Sequence, residues 1–210
     1  MAATCFLLID TNAFLRLYFS PVLPLLGEVI GGYKLMTLES LVGEFLRSDR
    51  LKTKYASVAV DPKLSDLTTA QMKLRGTTKS RVDKERQELL PYARALVDAE
   101  RRKGNNLTPP TREDVDLLAT AVVLKGGLAT DEGALRFVAH DLMEDPDSYP
   151  ISLFSSLEVL HLLEANGRLT ANDRRATVQK WIREDELLPK NWRSDYKRLF
   201  DEPVSSITGS

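Results

Sequence analysis

The sequence predicts an α/β fold with a largely parallel central sheet, and three observations support this class. Short apolar runs alternate with stretches whose apolar residues recur at the helical period. The first run, residues 5–9, is apolar at every position, as in strands covered by helices on both faces. The chain has 210 residues, 43% of them hydrophobic, which suffices for one domain with a sizeable core. Folds of this class bind ligands at the carboxyl ends of their strands, so polar residues there are functional candidates.

Local patterns define the expected elements of the first half. The sequence Asp10-Thr11-Asn12 ends the first strand and opens a helix, with Thr11 or Asn12 as its N-cap. Pro21 and Pro24 interrupt that helix. The elements expected after it are a short helix up to residues 31–32, a strand over 34–37 and a helix over 38–46.

The second half is expected to be mainly helical. Pro91 indicates a kink or a new helix start, and Thr111 with Asp114 three residues later indicates a capped helix start. In order, the elements are helical stretches around 63–75 and 80–103, a loop over 105–110, a helix from 111 to the glycines 126–127, a strand over 128–130, a helix after 131–132, a strand over 149–154, and polar helices beyond about 165 that fray into a Ser-rich tail.

The net charge of −1 conceals an uneven distribution. Residues 47–103 carry fifteen basic and eight acidic side chains, whereas residues 1–46 and 104–210 are net acidic. A basic segment between acidic flanks suggests a surface that attracts a polyanion next to a carboxylate-rich site. The alternative interpretation is a pair of solvated amphipathic helices that happen to be rich in Lys and Arg.

Composition excludes several classes of function. The one cysteine, Cys5, cannot form an internal disulfide or a CxxC zinc site, which fits a reducing cytoplasm. Two histidines, His140 and His161, leave little scope for histidine metal sites. No apolar run approaches the roughly 20 residues that cross a bilayer, and the N-terminus lacks the basic leader of a secretory signal. No GxxxxGK[ST] or GxGxxG phosphate-binding loop occurs.

Several carboxylates are placed where a site would form. Asp10 follows the first strand, and Asp131 and Glu132 follow the strand over 128–130. Helical geometry at 100° per residue places Asp114 at the head of the core-facing stripe, and Asp116 about 160° away from that stripe. Asp114 is alternatively explained as the acid of a capping box.

Glu44 and Glu39 both flank the buried stripe of their helix. Gly43 permits close approach beside Glu44, and Glu39 suits the helix dipole of the first turn, so Glu44 is the preferred site residue. Carboxylates that converge at one sheet edge repel each other unless a cation neutralises them. Oxygen ligands without Cys or His select hard ions, namely Mg²⁺ or Mn²⁺.

These residues resemble the PIN-domain ribonuclease family over roughly residues 4–160. The order and spacing of four short motifs carry the resemblance: Asp10-Thr11-Asn12 after the first strand, Glu44 in GEFL, Asp114 in DVDLLATA, and Thr130-Asp131-Glu132 in LATDEGAL. The resemblance implies a three-layer PIN-like fold over residues 1–165, with a central parallel sheet flanked by helices and a helical C-terminal extension over 166–210.

The resemblance also implies a metal site. Asp10, Glu44 and Asp114 would bind the metal, Thr130 would steady Asp10 or the site, and Asn12 would support the site. The family usually has its fourth acid two positions after the Thr, which is Glu132 here. Either Asp131 or Glu132 can serve, and Asp131 is slightly preferred for its shorter reach.

The function that this resemblance implies is a Mg²⁺- or Mn²⁺-dependent endoribonuclease, similar to toxins that are paired with an antitoxin. RNA would contact the basic segment, with Arg101, Arg102 and Lys103 as the candidate contacts. The alternative is a non-catalytic PIN-like module that binds protein or RNA. The extension beyond about residue 165 lies outside the resemblance, and three roles stay open for it: covering the core, binding a partner protein or forming a homodimer.

Overall fold

The protein is described by a computed structural model, which covers residues 4–18, 20, 22, 25–61, 71–184, 186 and 188–208. Within these ranges, no helix combines the length and apolar character needed to cross a lipid bilayer.

Six strands and eleven helices occur in this part of the chain. The strands are Cys5–Ile9 (β1), Val29–Ile30 (β2), Tyr33–Leu38 (β3), Gln71–Met72 (β4), Gly127–Ala129 (β5) and Ser152–Phe154 (β6). The helices are Thr11–Leu17 (α1), Glu39–Arg47 (α2), Asp49–Lys54 (α3), Ala56–Ala59 (α4), Gly76–Arg102 (α5), Arg112–Leu124 (α6), Gly133–Leu142 (α7), Ser156–Ala165 (α8), Ala171–Arg183 (α9), Trp192–Phe200 (α10) and Ser205–Thr208 (α11).

The sheet is mixed and mostly parallel, which confirms the predicted α/β class. Its order is β2-β3-β1-β5-β6, and β4 pairs with β3. Among the described strands, β2 alone is antiparallel to its neighbour. In β1, Leu7 pairs with Leu35 of β3 on one side and with Gly127 of β5 on the other. The carboxyl ends of β1, β3 and β5 therefore meet at one edge.

The two faces of the sheet are buried in separate hydrophobic clusters. Leu7 and Ile9 of β1 lie in one cluster, and Leu8 lies in the other, as the alternation of side chains in a strand requires. The cluster of Leu7 includes Trp181 and Tyr196 of the C-terminal helices. The extension over 166–208 therefore packs into the same core as the central strand, and its last helix, α11, occupies part of the tail where fraying was expected.

The N-terminus of α1 differs from the prediction. The N-cap is Asp10, in an extended conformation, rather than Thr11 or Asn12. The Asp10 side chain makes no capping hydrogen bond, and its carboxylate instead accepts one from Thr130. The expected short helix before residues 31–32 is also wrong at its end, because Val29 and Ile30 form a strand that pairs with β3.

The basic segment contains further differences. Helix α5 is continuous over 27 residues and passes through Pro91, so the expected new helix start there is wrong. Gln71 and Met72 form a strand where a helix over 63–75 was expected, and residues 62–70 of that stretch lie outside the described part. The strand expected over 149–154 is shorter and covers Ser152–Phe154.

Helix α6 begins as predicted, with Thr111 as N-cap and a capping box closed by Asp114. The side of α6 that carries Asp116, away from the core-facing stripe, is covered by α5. Thr120 is buried on this side, and its hydroxyl donates to the carbonyl of Asp116. The helix ends at Lys125, which takes the left-handed conformation with φ 52°.

Gly126 is required by close approach to β1 rather than by helix capping. A Cβ atom at this position would lie 2.7 Å from the backbone oxygen of Phe6. Because this oxygen belongs to the backbone of β1, it cannot move aside as a flexible side chain could. At Gly133, in contrast, a Cβ would meet its nearest neighbour at 3.8 Å, and the backbone has no positive φ.

We expect Gly126→Ala to lower the free energy of unfolding by about 1–3 kcal/mol, because the added methyl pushes β1 from β5. Gly133→Ala is the matched control, and it should leave stability unchanged or raise it by about 0.4–1 kcal/mol through the unfolded chain. Urea unfolding of both variants measures the difference. Equal stability of the two variants would contradict the close packing of Gly126 on β1.

A candidate carboxylate site at the sheet edge

Asp10 is the centre of the candidate site. It directly follows β1 and is 3% exposed, and its backbone N–H donates to the Ala129 carbonyl at 2.9 Å. Its carboxylate accepts a hydrogen bond from the Thr130 hydroxyl at 3.0 Å and another from the Thr11 backbone. The contact that the sequence assigned to Thr130 is therefore present in the structure.

Glu44 reaches the same edge from α2. Its Oε2 accepts a hydrogen bond from the Thr11 hydroxyl at 3.1 Å, so the first residue of α1 links it to Asp10. Glu39, the alternative on this helix, is exposed and forms an ion pair with Lys73 at 2.9 Å. The contacts of the two side chains thus agree with the preference for Glu44.

Asp114 combines the two roles that the sequence left open. Its Oδ2 closes the capping box by accepting from the Thr111 backbone N–H at 2.7 Å and from the Thr111 hydroxyl at 2.8 Å. Its charge also raises the pKa of Asp10 and of Glu132. Asp116 lies elsewhere and forms an ion pair with Arg86 at 2.7 Å.

The structure separates Asp131 from Glu132. The Asp131 carboxylate is buried and already occupied, because it pairs with Arg16 and accepts hydrogen bonds from the Ser156 backbone and hydroxyl. Glu132 feels the charge of Asp114 and makes no ion pair among the described residues. The contacts of Asp131 therefore give no support to the slight preference for it, and which of the two is the fourth acid stays a prediction.

Sequence reasoning missed Arg16 and Ser156. A signal for Arg16 was present, because an arginine lies within the otherwise apolar stretch from Ala13 to Tyr18 of α1 and needs a buried partner. Ser156 begins α8 directly after β6, but only the pairing of β6 with β5 brings it next to Asp131.

Burial and mutual repulsion raise the pKa of three of these acids. The pKa of Asp10 is raised to about 7, first by burial and then by Asp114, with a further contribution from Glu44, although hydrogen bonds to Thr130 and Thr11 lower it. Burial also raises the pKa of Glu44, assisted by Asp114 and Glu113, and the pKa of Glu132, assisted by Asp114. The charge of Asp114 therefore disfavours the ionised forms of Asp10, Glu44 and Glu132 at one edge of the sheet.

The donor chemistry of this group fits a hard divalent cation. All four side chains offer carboxylate oxygens, which Mg²⁺ and Mn²⁺ prefer, and a cation would relieve their repulsion. Within the described ranges, no three acidic, histidine or cysteine side chains are already gathered at metal-binding spacing. Asn12, expected to support the site, is exposed on the first turn of α1.

The excess of basic charge lies in the first part of the basic segment, whereas the candidate RNA contacts lie at its end. Nine basic and three acidic residues lie within 47–81, whereas residues 82–103 contribute only one excess positive charge. Arg101 and Lys103 are exposed and form ion pairs on their own helix, with Asp98 at 3.5 Å and with Glu100 at 2.5 Å.

The start of α5 lies at the same sheet edge as Asp10. Strand β4 runs parallel to β3, and its Met72 pairs with Leu38, the last residue of β3. The chain therefore leaves β4 at the carboxyl edge, only three residues before Arg75. Arg75, Lys79 and Arg81 are exposed there and make no ion pair within the described part of the chain.

Comparisons of this chain with protein-family models, with curated proteins and with solved structures found no match. The resemblance to the PIN-domain family thus depends on the order and spacing of the short motifs alone.

The raised pKa of Asp10 makes stability depend on pH. Its folded pKa of about 7 exceeds its unfolded value of 3.8, so the folded state retains a proton that the unfolded state loses. Stability should therefore fall as pH rises from about 4 to about 7, by up to about 4 kcal/mol. Asp10→Asn removes this penalty. The free energy of unfolding of the variant should therefore rise relative to that of the wild type as pH increases across that range.

Urea unfolding of both proteins in EDTA, from pH 4.5 to 8, measures this difference. A difference between variant and wild type that does not change with pH would show that the pKa of Asp10 is ordinary. Asp116→Asn, at an ion-paired and partly exposed acid, is the control whose difference from the wild type should not grow in this way.

Proposed function

We propose that the protein is a Mg²⁺- or Mn²⁺-dependent endoribonuclease that hydrolyses phosphodiester bonds at the carboxyl edge of its sheet. The observation that carries this proposal is the buried carboxyl of Asp10, whose pKa is raised to about 7 partly by Asp114 and Glu44. A purely structural role does not explain why Asp10, Asp114 and Glu44 lie near one another, because a buried carboxylate without a cationic partner costs stability.

Asp10, Glu44, Asp114 and Glu132 would hold the metal in this proposal. When bound, Mg²⁺ or Mn²⁺ supplies a Lewis acid that polarises the phosphate and lowers the pKa of water. Thr130 keeps Asp10 oriented through the hydrogen bond at 3.0 Å, and Thr11 does the same for Glu44 at 3.1 Å. Such orienting bonds limit the rotamers of the ligands and so reduce the entropy lost on binding.

The charge distribution supports a nucleic acid as the substrate. The acidic edge would repel a phosphate backbone, whereas the exposed Arg75, Lys79 and Arg81 at the start of α5 would attract one. Water serves as the nucleophile, so no serine or cysteine needs to be activated. The choice of RNA comes from the resemblance to PIN-domain ribonucleases, and an antitoxin partner stays a prediction of that resemblance.

Cleavage of a mixed RNA substrate with and without Mn²⁺ tests the proposal directly. The wild type should cleave only with the metal, and Mn²⁺ should raise its melting temperature because the ion binds the folded form. Asp10→Asn should lose both effects. Metal-independent RNA or protein binding, without cleavage and without a melting shift, would instead establish the non-catalytic module.

Substitutions in α6 test whether Asp114 acts through its charge or only through the helix cap. Asp114→Asn should lower kcat by about 100-fold or more, because it removes a metal ligand. Thr111→Ala removes the capping hydroxyl but keeps the Asp114 carboxylate and the backbone N–H that holds it, so it should cost about 1 kcal/mol of stability and retain most activity. Asp116→Asn breaks the ion pair with Arg86 and should also retain activity.

Kinetics at saturating RNA, with stability measured on the same samples, distinguish these cases. If Thr111→Ala inactivates the protein as strongly as Asp114→Asn does, Asp114 is a capping residue and not a ligand.

The RNA surface can be located by salt dependence. Combined substitution of Arg75, Lys79 and Arg81 by Gln should weaken RNA binding and reduce the slope of log K against log salt by about 2, since each lost phosphate contact on a single strand contributes about 0.7. The corresponding substitution of the other candidate group, residues 101–103, should have a smaller effect, because two of its cations already pair with acids.

Titrations of labelled RNA with Asp10→Asn as the common inactive background, at several salt concentrations, measure both slopes. Unchanged slopes for both triple variants would show that the basic segment is merely solvated.

A further inference from the structure

Arg16 occupies an unusual place for a charged side chain. It lies in the last turn of α1, six residues after Asp10, and its side chain is 5% exposed. Its guanidinium pairs with Asp131 and stacks over the Trp181 ring at 5.9 Å, while its backbone carbonyl accepts a hydrogen bond from the Trp181 indole at 2.8 Å. Trp181 belongs to α9, so the C-terminal extension covers this ion pair.

Asp131 connects this arginine to the turn that carries the site. Its carboxylate accepts from the backbone N–H of Ser156 at 3.0 Å and from the Ser156 hydroxyl, at the start of α8. An anion is stabilised at a helix N-terminus by the unsatisfied N–H groups there. Asp131 is thereby fixed between α1 and α8, with Thr130 and Glu132 on either side of it in the chain.

The two neighbours of Asp131 both act at the proposed site. The Thr130 hydroxyl donates to Asp10 and accepts from the Glu132 backbone N–H at 3.1 Å, and Thr130 itself donates its N–H to Phe154 of β6 at 2.9 Å. The direction of the turn over 130–132 thus decides where the Thr130 hydroxyl and the Glu132 carboxylate lie.

Glu186 of the C-terminal extension extends the network to α3. Its side chain is 4% exposed, and its carboxylate lies 3.9 Å from Arg16 and 3.3 Å from Lys54 and accepts from the Tyr55 hydroxyl at 2.8 Å. Arg16, Asp131 and Glu186 are buried, and the exposed Lys54 adds a second cation that balances the second carboxylate. A charge removed from this group would leave its partner without compensation.

We propose that the Arg16–Asp131 ion pair, covered by Trp181 and Glu186, is a positioning device for the metal-binding carboxylates. The C-terminal extension is then a part of the site, and Asp131 is a positioning residue rather than a ligand. The pair acts by fixing the turn over 130–132. That the pair positions metal-binding carboxylates rests on the proposed function, whereas its fixing of the turn over 130–132 does not.

Two single variants and their combination test this role. Asp131→Asn and Arg16→Gln each break the pair, so each should weaken Mn²⁺ affinity by about 10- to 100-fold in calorimetry, as the loss of a ligand-orienting partner does. Both substitutions act through one interaction, so their effects should not add. The double variant should bind Mn²⁺ at least as tightly as the single variant of lower affinity. In metal-free protein, both should also speed amide hydrogen exchange in residues 128–134.

Arg174 provides the matched control. It is a second buried arginine of the extension, 2% exposed, paired with Glu164 at 2.6 Å and with Glu202 at 3.1 Å, and it touches no residue of the proposed site. Arg174→Gln should lower stability as much as Arg16→Gln, yet leave Mn²⁺ affinity within about twofold, since no ligand depends on it.

The outcomes separate the possible roles. If Asp131→Asn weakens Mn²⁺ binding but Arg16→Gln does not, Asp131 is itself a ligand and the positioning role is overturned. If Arg16→Gln leaves both affinity and exchange unchanged, or matches Arg174→Gln in both, the pair is only structural. A wild type that binds no Mn²⁺ overturns the proposed function, and the exchange measurement then still decides whether the pair holds the turn.

Discussion

Asp10 is buried where the central strand of the sheet ends, and Asp114 and Glu44 raise the free energy of its charged form. The position follows from the architecture, because β1 has a parallel neighbour on each side and its carboxyl end therefore lies between the start of α2 after β3 and the turn after β5. The protein retains this unfavourable arrangement and builds hydrogen bonds around it. A group of acids that is costly without a cation is a reason to expect one.

The hydrogen bonds that hold Asp10, Glu44 and Asp114 in place come from neutral groups. Threonine hydroxyls orient Asp10 and Glu44, and a capping box orients Asp114. The one nearby arginine of α1 is instead turned away and engaged by Asp131. Had Arg16 pointed to Asp10, it would have lowered the pKa of that carboxyl and competed with a metal for it.

Local patterns were sufficient to predict the features that depend on a few neighbouring residues. These include β1, the capped start of α6, and the position of Asp10 at a strand end, because each is encoded within about a turn of chain. The choice between Asp131 and Glu132 was different. It depends on Arg16 and Ser156, which lie 115 and 25 positions away, so only the assembled fold brings them together.

Two other differences have the same origin in tertiary packing. Pro91 removes one backbone donor from α5, but the burial of Leu89 and Ala93 beside it compensates for the lost bond and keeps the helix continuous. Asp116 was placed away from the core-facing stripe of α6, yet α5 packs on that side, and the buried Thr120 hydroxyl there is satisfied within its own helix. A pattern of 3.6 residues shows one buried face and cannot reveal a second element that covers the other.

The ionisation of the Asp10 carboxyl can be measured directly. It tests whether Asp10 is kept at high free energy until a cation neutralises the acids around it. A ¹³C NMR titration of the Asp10 side chain, assigned by comparison with Asp10→Asn, reports its ionisation with and without Mg²⁺. We predict a pKa of about 7 for Asp10 in metal-free protein. In saturating Mg²⁺, the Asp10 carboxyl should stay ionised below pH 5. A carboxyl that titrates near 3.8 under both conditions would contradict it.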